Sequence, residues 1–189
     1  MWMAEDILLK RGEGSLYLKR ISSKSEINLS DSCDGYLVRA SESECRKIIS
    51  SLNAVNFSGK IAIYAEDEQL NRRLIETLNF DYLVSPEINP GKDSLKQRSA
   101  GLNHVLAREA KKKNISILIS VEDLLKRDKK EQAILVSRII QNIKVCRKVG
   151  CRIQIASLSS ERNLSKKERS FLGTSWGMSS QQVSLACVF

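Results

Sequence analysis

From residue 35 onward, short apolar runs alternate with stretches in which apolar residues recur every three or four positions. Residues 35–39 form the first such run. Ser41, with Glu44 three residues later, marks a helix start by a capping-box pattern, and Cys45, Ile48, Ile49 and Leu52 follow at helical spacing. After the Ser58–Gly59 break, residues 60–65 predict a strand and 67–78 a helix with Leu70, Leu74, Ile75 and Leu78 on one face. Residues 81–85 predict a strand ended by Pro86, before a polar loop through Ser94. The next helix carries Leu102, Val105, Leu106 and Ala110, and 115–120 is again a strand. Residues 121–130 read as a charged loop around Leu124 and Leu125. The longest helix, 131–148, places Leu135, Ile139, Ile143 and Cys146 on one face beside Val136 and Ile140, and Gly150 ends it. A strand at 152–157, a helix at 165–176 and a last strand at 183–189 complete the pattern. Before residue 30 the signal is weaker, with 7–9 and 15–21 reading as short strands.

Strands alternating with helices of this length build βαβ units around a parallel sheet, here of six or seven strands in one domain, residues 1–189. A TIM-barrel-like closure is favoured over an open sheet, because no glycine-rich dinucleotide fingerprint follows an early strand. No apolar run reaches the roughly 20 residues that a membrane helix needs. The N-terminal segment has no leader-peptide pattern, so the expected location is cytoplasmic with no membrane partner. Five cysteines without a CxxC pair are expected to be buried, reduced thiols.

Charge changes the picture more than composition does. Residues 1–80 hold 11 Lys and Arg against 12 Asp and Glu, whereas 81–189 hold 20 against 10, so the net +9 lies entirely in the second part. It concentrates between 96 and 114, where Lys96, Arg98, Arg108, Lys111, Lys112 and Lys113 face Glu109 alone. Clustered cations on one part of a chain point to a polyanion, since each neutralised phosphate releases counterions.

Catalytic signatures are sparse. The single histidine, His104, cannot supply a metal-hydrolase ligand set and reads as a helix-surface or boundary residue. No nucleophile elbow, P-loop, HExxH or Cys–His pairing occurs. Glu122 and Asp123 follow a strand end, where barrel catalysts lie, but no metal cluster accompanies them.

An ordered series of segments resembles one family. It runs Asp81-Tyr-Leu-Val-Ser-Pro86, Arg98-Ser-Ala-Gly-Leu-Asn103, Val105-Leu-Ala107, Lys112-Lys-Asn-Ile115, Glu122-Asp-Leu-Leu125, Arg138-Ile-Ile-Gln-Asn-Ile143, Arg147-Lys148, Ile155-Ala-Ser157, and finally Leu172-Gly173 with Trp176-Gly-Met178. This order is similar to that of the p30-type protein subunit of ribonuclease P, protein component 3 in archaea, over 81–188, and to its topology over 34–80. The resemblance implies a TIM-barrel-like fold related to the polymerase-and-histidinol-phosphatase hydrolases without their metal ligands. Residues 1–30 lack the family's opening strand and helix, which leaves a barrel shortened or incomplete at its N-terminus, and the compact length fits an archaeal form. It implies a non-catalytic subunit of the ribonucleoprotein that removes 5′ leaders from precursor tRNA. The partners implied are ribonuclease P RNA, a small RRM-like protein subunit in a heterodimer or heterotetramer, and other ribonuclease P proteins. The protein itself would need no cofactor, and the Mg²⁺ of the reaction would be used by the catalytic RNA.

On that reading Arg98, Lys111, Lys112, Lys113 and Lys167 are the candidate RNA contacts. Their order splits them between two rims: Lys111–Lys113 end a helix at one, and Arg98 precedes its start at the other. The lysines also suit a helix C-terminus for the dipole alone. Asn103 is expected to be structural, bonding a loop carbonyl. Arg138, Gln141, Asn142 and Lys144, on the outer side of the long helix, are the candidate protein interface. Two other classes stay open: a metal-independent or phosphate-ester-acting enzyme on an α/β barrel, and a scaffold that binds no RNA.

Overall fold

Strand periodicity decides the architecture. The computed structural model describes residues 18–30, 32–88, 99–158 and 164–186. Six strands, β1 (Leu18–Ile21), β2 (Gly35–Val38), β3 (Lys60–Tyr64), β4 (Tyr82–Val84), β5 (Ser116–Ser120) and β6 (Ile153–Ala156), pair in parallel in sequence order. Between them run α1 (Glu42–Ala54), α2 (Glu68–Thr77), α3 (His104–Lys112), α4 (Val121–Leu125) and α5 (Lys129–Val149), and α6 (Lys166–Ser175) and α7 (Ser180–Ala186) follow β6.

Side chains at alternate positions of each strand go to opposite faces. Tyr36, Val38, Ile61, Ile63, Ile117, Ile119, Ile153 and Ile155 pack outward into the main core with the helices. Leu18, Leu37, Ala62, Val84, Leu118 and Ala156 form a second, inner cluster to which all six strands contribute. Both edges of the sheet reach the same cavity, through Arg20 of β1 and Leu158 just past β6, so the sheet is curled as a partial TIM-like barrel. Among the described residues β6 does not pair with β1.

Four sequence expectations change. Of the strand expected at 183–189, residues 183–186 are helical: Ser179 accepts the Gln182 amide at 3.3 Å and starts α7, whose Gln182 and Ala186 are buried four residues apart, and 187–189 lie outside the described residues. The expected charged loop at 121–130 holds α4, capped by Ser120, and α5 begins at Lys129 because Asp128 accepts the Lys130 and Glu131 amides at 2.9 Å. Val105 leaves the apolar face of α3 and is 57% exposed, since Leu106, Ala107 and Ala110 fill the buried side. The capping box expected at Ser41 is half made, because Glu44 turns to Lys47; the full box is at Ser165 and Glu168 of α6. Cys45, Cys146 and Cys151 are buried free thiols and Cys33 is half-buried. The strand expected at 7–9 and Cys187 lie outside the described residues.

The segment before α3 is held by buried amides. Asn71 of α2 closes on the Glu66 main chain through both side-chain atoms and donates to the Gly101 carbonyl at 3.5 Å. Asn142 of α5 donates to the Ala100 carbonyl at 2.9 Å. Gly101 has φ +73° and its Cα hydrogens face the Pro86 carbonyl, where a Cβ would come within 1.9 Å of the oxygen. Gly101→Ala is therefore expected to cost about 1–3 kcal/mol. A lowered urea midpoint with an unchanged slope would show it, and an unchanged midpoint would refute the constraint.

Candidate nucleic-acid interface

α3 crosses from one rim of the sheet to the other, so its two ends place different chemistry. At its start Asn103 is the N-cap, accepting the Val105 and Leu106 amides at 2.9 Å each, while its amide donates to the Glu68 carboxylate. Asn103, expected to bond a loop carbonyl, instead caps α3 and reaches Glu68 of α2. His104 follows on the exposed surface, also as expected.

At the end of α3 the three lysines part company. Lys111 Nζ donates to the Val149 carbonyl at 3.0 Å, and Lys113 Nζ donates to the Glu76 and Leu78 carbonyls at 2.8 and 3.4 Å. These are the last-turn carbonyls of α5 and α2, which have no intrahelical donor, and a cation there also favours the helix dipole. Lys112 instead pairs with Glu109 on its own helix at 2.7 Å, a solvent-exposed contact. Of the three, Lys111 and Lys113 are committed to joining helices, and Lys112 is the one directed outward.

Two residues that are not among the candidate RNA contacts complete a surface here. Arg108 stands one turn before Lys112, and Lys148 ends the neighbouring α5. With His104, Lys111 and Val149 they line an open groove of about 500 Å³ between α3 and α5. Arg108 and Lys148 form no ion pair among the described residues. The i, i+4 spacing of His104, Arg108 and Lys112 was visible in the sequence. That Lys148 would lie beside them depends on the α3–α5 packing.

The other candidates scatter. Lys167 is exposed in the first turn of α6, at the opposite rim from Lys111–Lys113, and Arg98 lies outside the described residues. The proposed outer face of α5 does not hold as a unit. Asn142 is fully buried and bonded to Ala100, so it is withdrawn as a partner-interface residue. Arg138 and Gln141 are half-buried, and Arg138 Nη1 reaches the Glu87 carbonyl at 3.4 Å; Lys144 alone of the four is exposed.

Glu122 and Asp123 sit where barrel catalysts would, but their oxygens are engaged in structure. Glu122 accepts from the Ser157 hydroxyl and from the Leu158 amide, and Asp123 accepts from the Ser85 hydroxyl at 2.8 Å, which ties the ends of β4, β5 and β6 together. Nearby, burial with the Asp123 charge pushes the Glu87 carboxyl up to about 8. The folded chain therefore holds a proton there that the unfolded chain, near the ordinary 4.5, releases. Stability should fall as pH rises from about 4.5 to about 8 and then level off. Glu87→Gln is expected to remove that slope, raising the melting temperature at pH 8 and leaving it unchanged below pH about 4.5. Parallel melting curves for the two proteins across this range would contradict the buried-proton account.

No family model matches the chain. Ribonuclease P protein component 3 of Methanococcoides burtonii is 34% identical over 65 residues, covering 34% of this chain and 24% of the relative. The protein of the same name from Methanococcus vannielii is 28% identical over 97 residues, 51% of this chain and 39% of the relative. In Methanococcus maripaludis it is 27% identical over 95 residues, 50% of this chain and 38% of the relative. The matched segments thus span between 24% and 39% of these relatives' lengths. A chain in a cryo-EM structure of archaeal ribonuclease P with mature tRNA shares the fold, with a TM-score of 0.69 over 98% of this chain and 84% of that one, at 19% identity. Over about a third to a half of its length, the chain is thus similar in sequence to ribonuclease P protein component 3.

Proposed function

We propose that this chain is a non-catalytic protein subunit of ribonuclease P, and that the α3–α5 groove is one surface on which it holds the RNA. The groove carries the proposal: Arg108, Lys111, Lys112 and Lys148 line it, and among the described residues only Lys112 of these has a carboxylate partner. Such a surface is suited to the phosphate backbone, because it offers charge without the base-edge geometry that reads sequence. Lys111 serves both roles, bonded to α5 while lining the groove.

In this reading the RNA of the complex carries the cleavage chemistry with its Mg²⁺, and the protein supports the RNA together with other ribonuclease P proteins, a small RRM-like subunit among them. Lys167 would act at the opposite rim, as a second contact separate from the groove, and Arg98, outside the described residues, stays a candidate RNA contact. The exposed Lys144 is the remaining candidate on α5 for a protein neighbour.

The substitutions Arg108→Ala, Lys112→Ala and Lys148→Ala, combined, remove three groove cations without touching any main-chain bond. They are expected to weaken binding of ribonuclease P RNA and to flatten the plot of log affinity against log salt by roughly 2–3, at about 0.7–0.9 per phosphate contact. Melting temperature should stay the same, whereas Lys113→Ala should lower it by freeing the α2 carbonyls. Reconstituted cleavage and a salt slope both unchanged in the triple variant would refute the groove as an RNA surface.

A further inference from the structure

The rim opposite the groove holds a second basic cavity, of about 360 Å³, at the C-terminal ends of the strands. Its walls come from nearly every strand: Arg20 of β1, Arg39 just after β2, Tyr64 at the end of β3, Asp123 and Lys126 after β5, and Leu158 after β6. We propose that this mouth is a phosphate-binding site, in which Arg20, Arg39, Tyr64 and Lys126 take one phosphoryl group of a free phosphate ester or of an RNA strand.

The observation behind it is an unspent guanidinium. Arg20 is on the inner face of β1, two residues beyond the buried Leu18, and its Nε is shielded from solvent with no hydrogen-bond partner among the described residues. A donor left in that state carries a desolvation cost that nothing offsets, larger when charged, and an oxyanion would satisfy it. Arg39 is held in place by stacking, with its guanidinium carbon 5.2 Å from the centre of the Tyr64 ring. Neither arginine, nor Lys126, forms an ion pair among the described residues. Burial pushes the Tyr64 phenol up to about 12, so at neutral pH its hydroxyl remains a donor.

The carboxylates in the wall do not consume these cations. Glu122 is turned to Ser157 and the Leu158 amide, Asp123 to Ser85, and Glu131 stands 3.8 Å from Arg127. Two guanidinium groups, a phenol and an ammonium reaching in from separate elements suit an oxyanion with several oxygens and more than one negative charge. A carboxylate offers two oxygens in one plane and would leave donors unmet. The cavity does not overlap the α3–α5 groove, and no lining residue is shared.

The test uses the full chain and follows arginine Nε–H resonances by NMR during titration with inorganic phosphate, with chloride compensating ionic strength. Expected is a saturable shift of one Nε–H signal that is missing in Arg20→Gln. Arg39→Lys, which keeps the charge and loses the fork, should weaken the titration about tenfold, as for one charge-assisted hydrogen bond. Tyr64→Phe gives a second, conservative variant should Arg20→Gln not fold. Competition by 5′-AMP, but not by an RNA oligonucleotide with a 5′-hydroxyl end, would identify a free ester as the ligand; competition by that oligonucleotide would identify the strand. Absence of any saturable shift in the folded protein would overturn the site, as would phosphate binding retained in both Arg39→Lys and Tyr64→Phe. The groove substitutions Arg108→Ala, Lys112→Ala and Lys148→Ala should leave the phosphate titration unaltered, so failure of the groove to bind RNA and failure of this site are read separately.

Discussion

Two buried asparagines fix the part of the molecule on which its surfaces depend. Asn71 and Asn142 reach from α2 and α5 to consecutive carbonyls, those of Gly101 and Ala100. Residues 100–102, just before α3, are buried and belong to no helix or strand, and an unmet carbonyl there is costly. By bonding it, they set the point at which α3 begins and the rotation of that helix between its two neighbours. Asn103 then caps the first turn and ties it to Glu68, and the end of the helix falls where Lys111 and Lys113 meet the last carbonyls of α5 and α2. The basic surface is a consequence of how this helix is seated.

Seen from that constraint, the lysine run has two duties that sequence alone presents as one. A lysine in a last helical turn already gains from the dipole of its own helix, at roughly 0.3–1 kcal/mol. Here two of the three gain instead from the carbonyls of adjacent helices, which makes them fasteners of the layer. Their charge persists after bonding, since a carbonyl does not neutralise an ammonium, and so Lys111 still contributes field to the groove it lines. Arg108 and Lys148 add cations that form no ion pair among the described residues. A patch composed of bonded and unbonded cations is rigid on one side and adaptable on the other.

Much of the fold was legible because its signals are local. The apolar runs at 60–65 and 115–120, the helical spacing of Leu135, Ile139, Ile143 and Cys146, and Gly150 in the left-handed conformation after α5 all reappear in the structure. Residues 183–186 misled because Val183 and Leu185 alternate as in a strand, and the deciding feature, Ser179 as a cap, lies before them. The site was less legible. Asn142 has the polarity of a surface residue, and nothing in its own helix indicates that a carbonyl 42 residues earlier in the chain waits for it. Lys148 joins Arg108 only through the packing of α5 on α3, a relation between elements that periodicity within one element cannot express.

The curl of the sheet explains why charge collects at both rims while the middle stays apolar. Inner-face positions run from Leu18, Leu37 and Ala62 to Arg20, Arg39 and Tyr64 two residues further along each chain segment, so polarity changes within one alternation step. The carboxylates at that rim sit where a barrel enzyme would place its catalysts, yet using Glu122 or Asp123 as a base would break the bonds joining β4, β5 and β6. In a sheet that does not close between β6 and β1 among the described residues, those bonds replace some of the restraint that closure supplies. The acids therefore serve the scaffold, and the cations are left to define what the rim can attract.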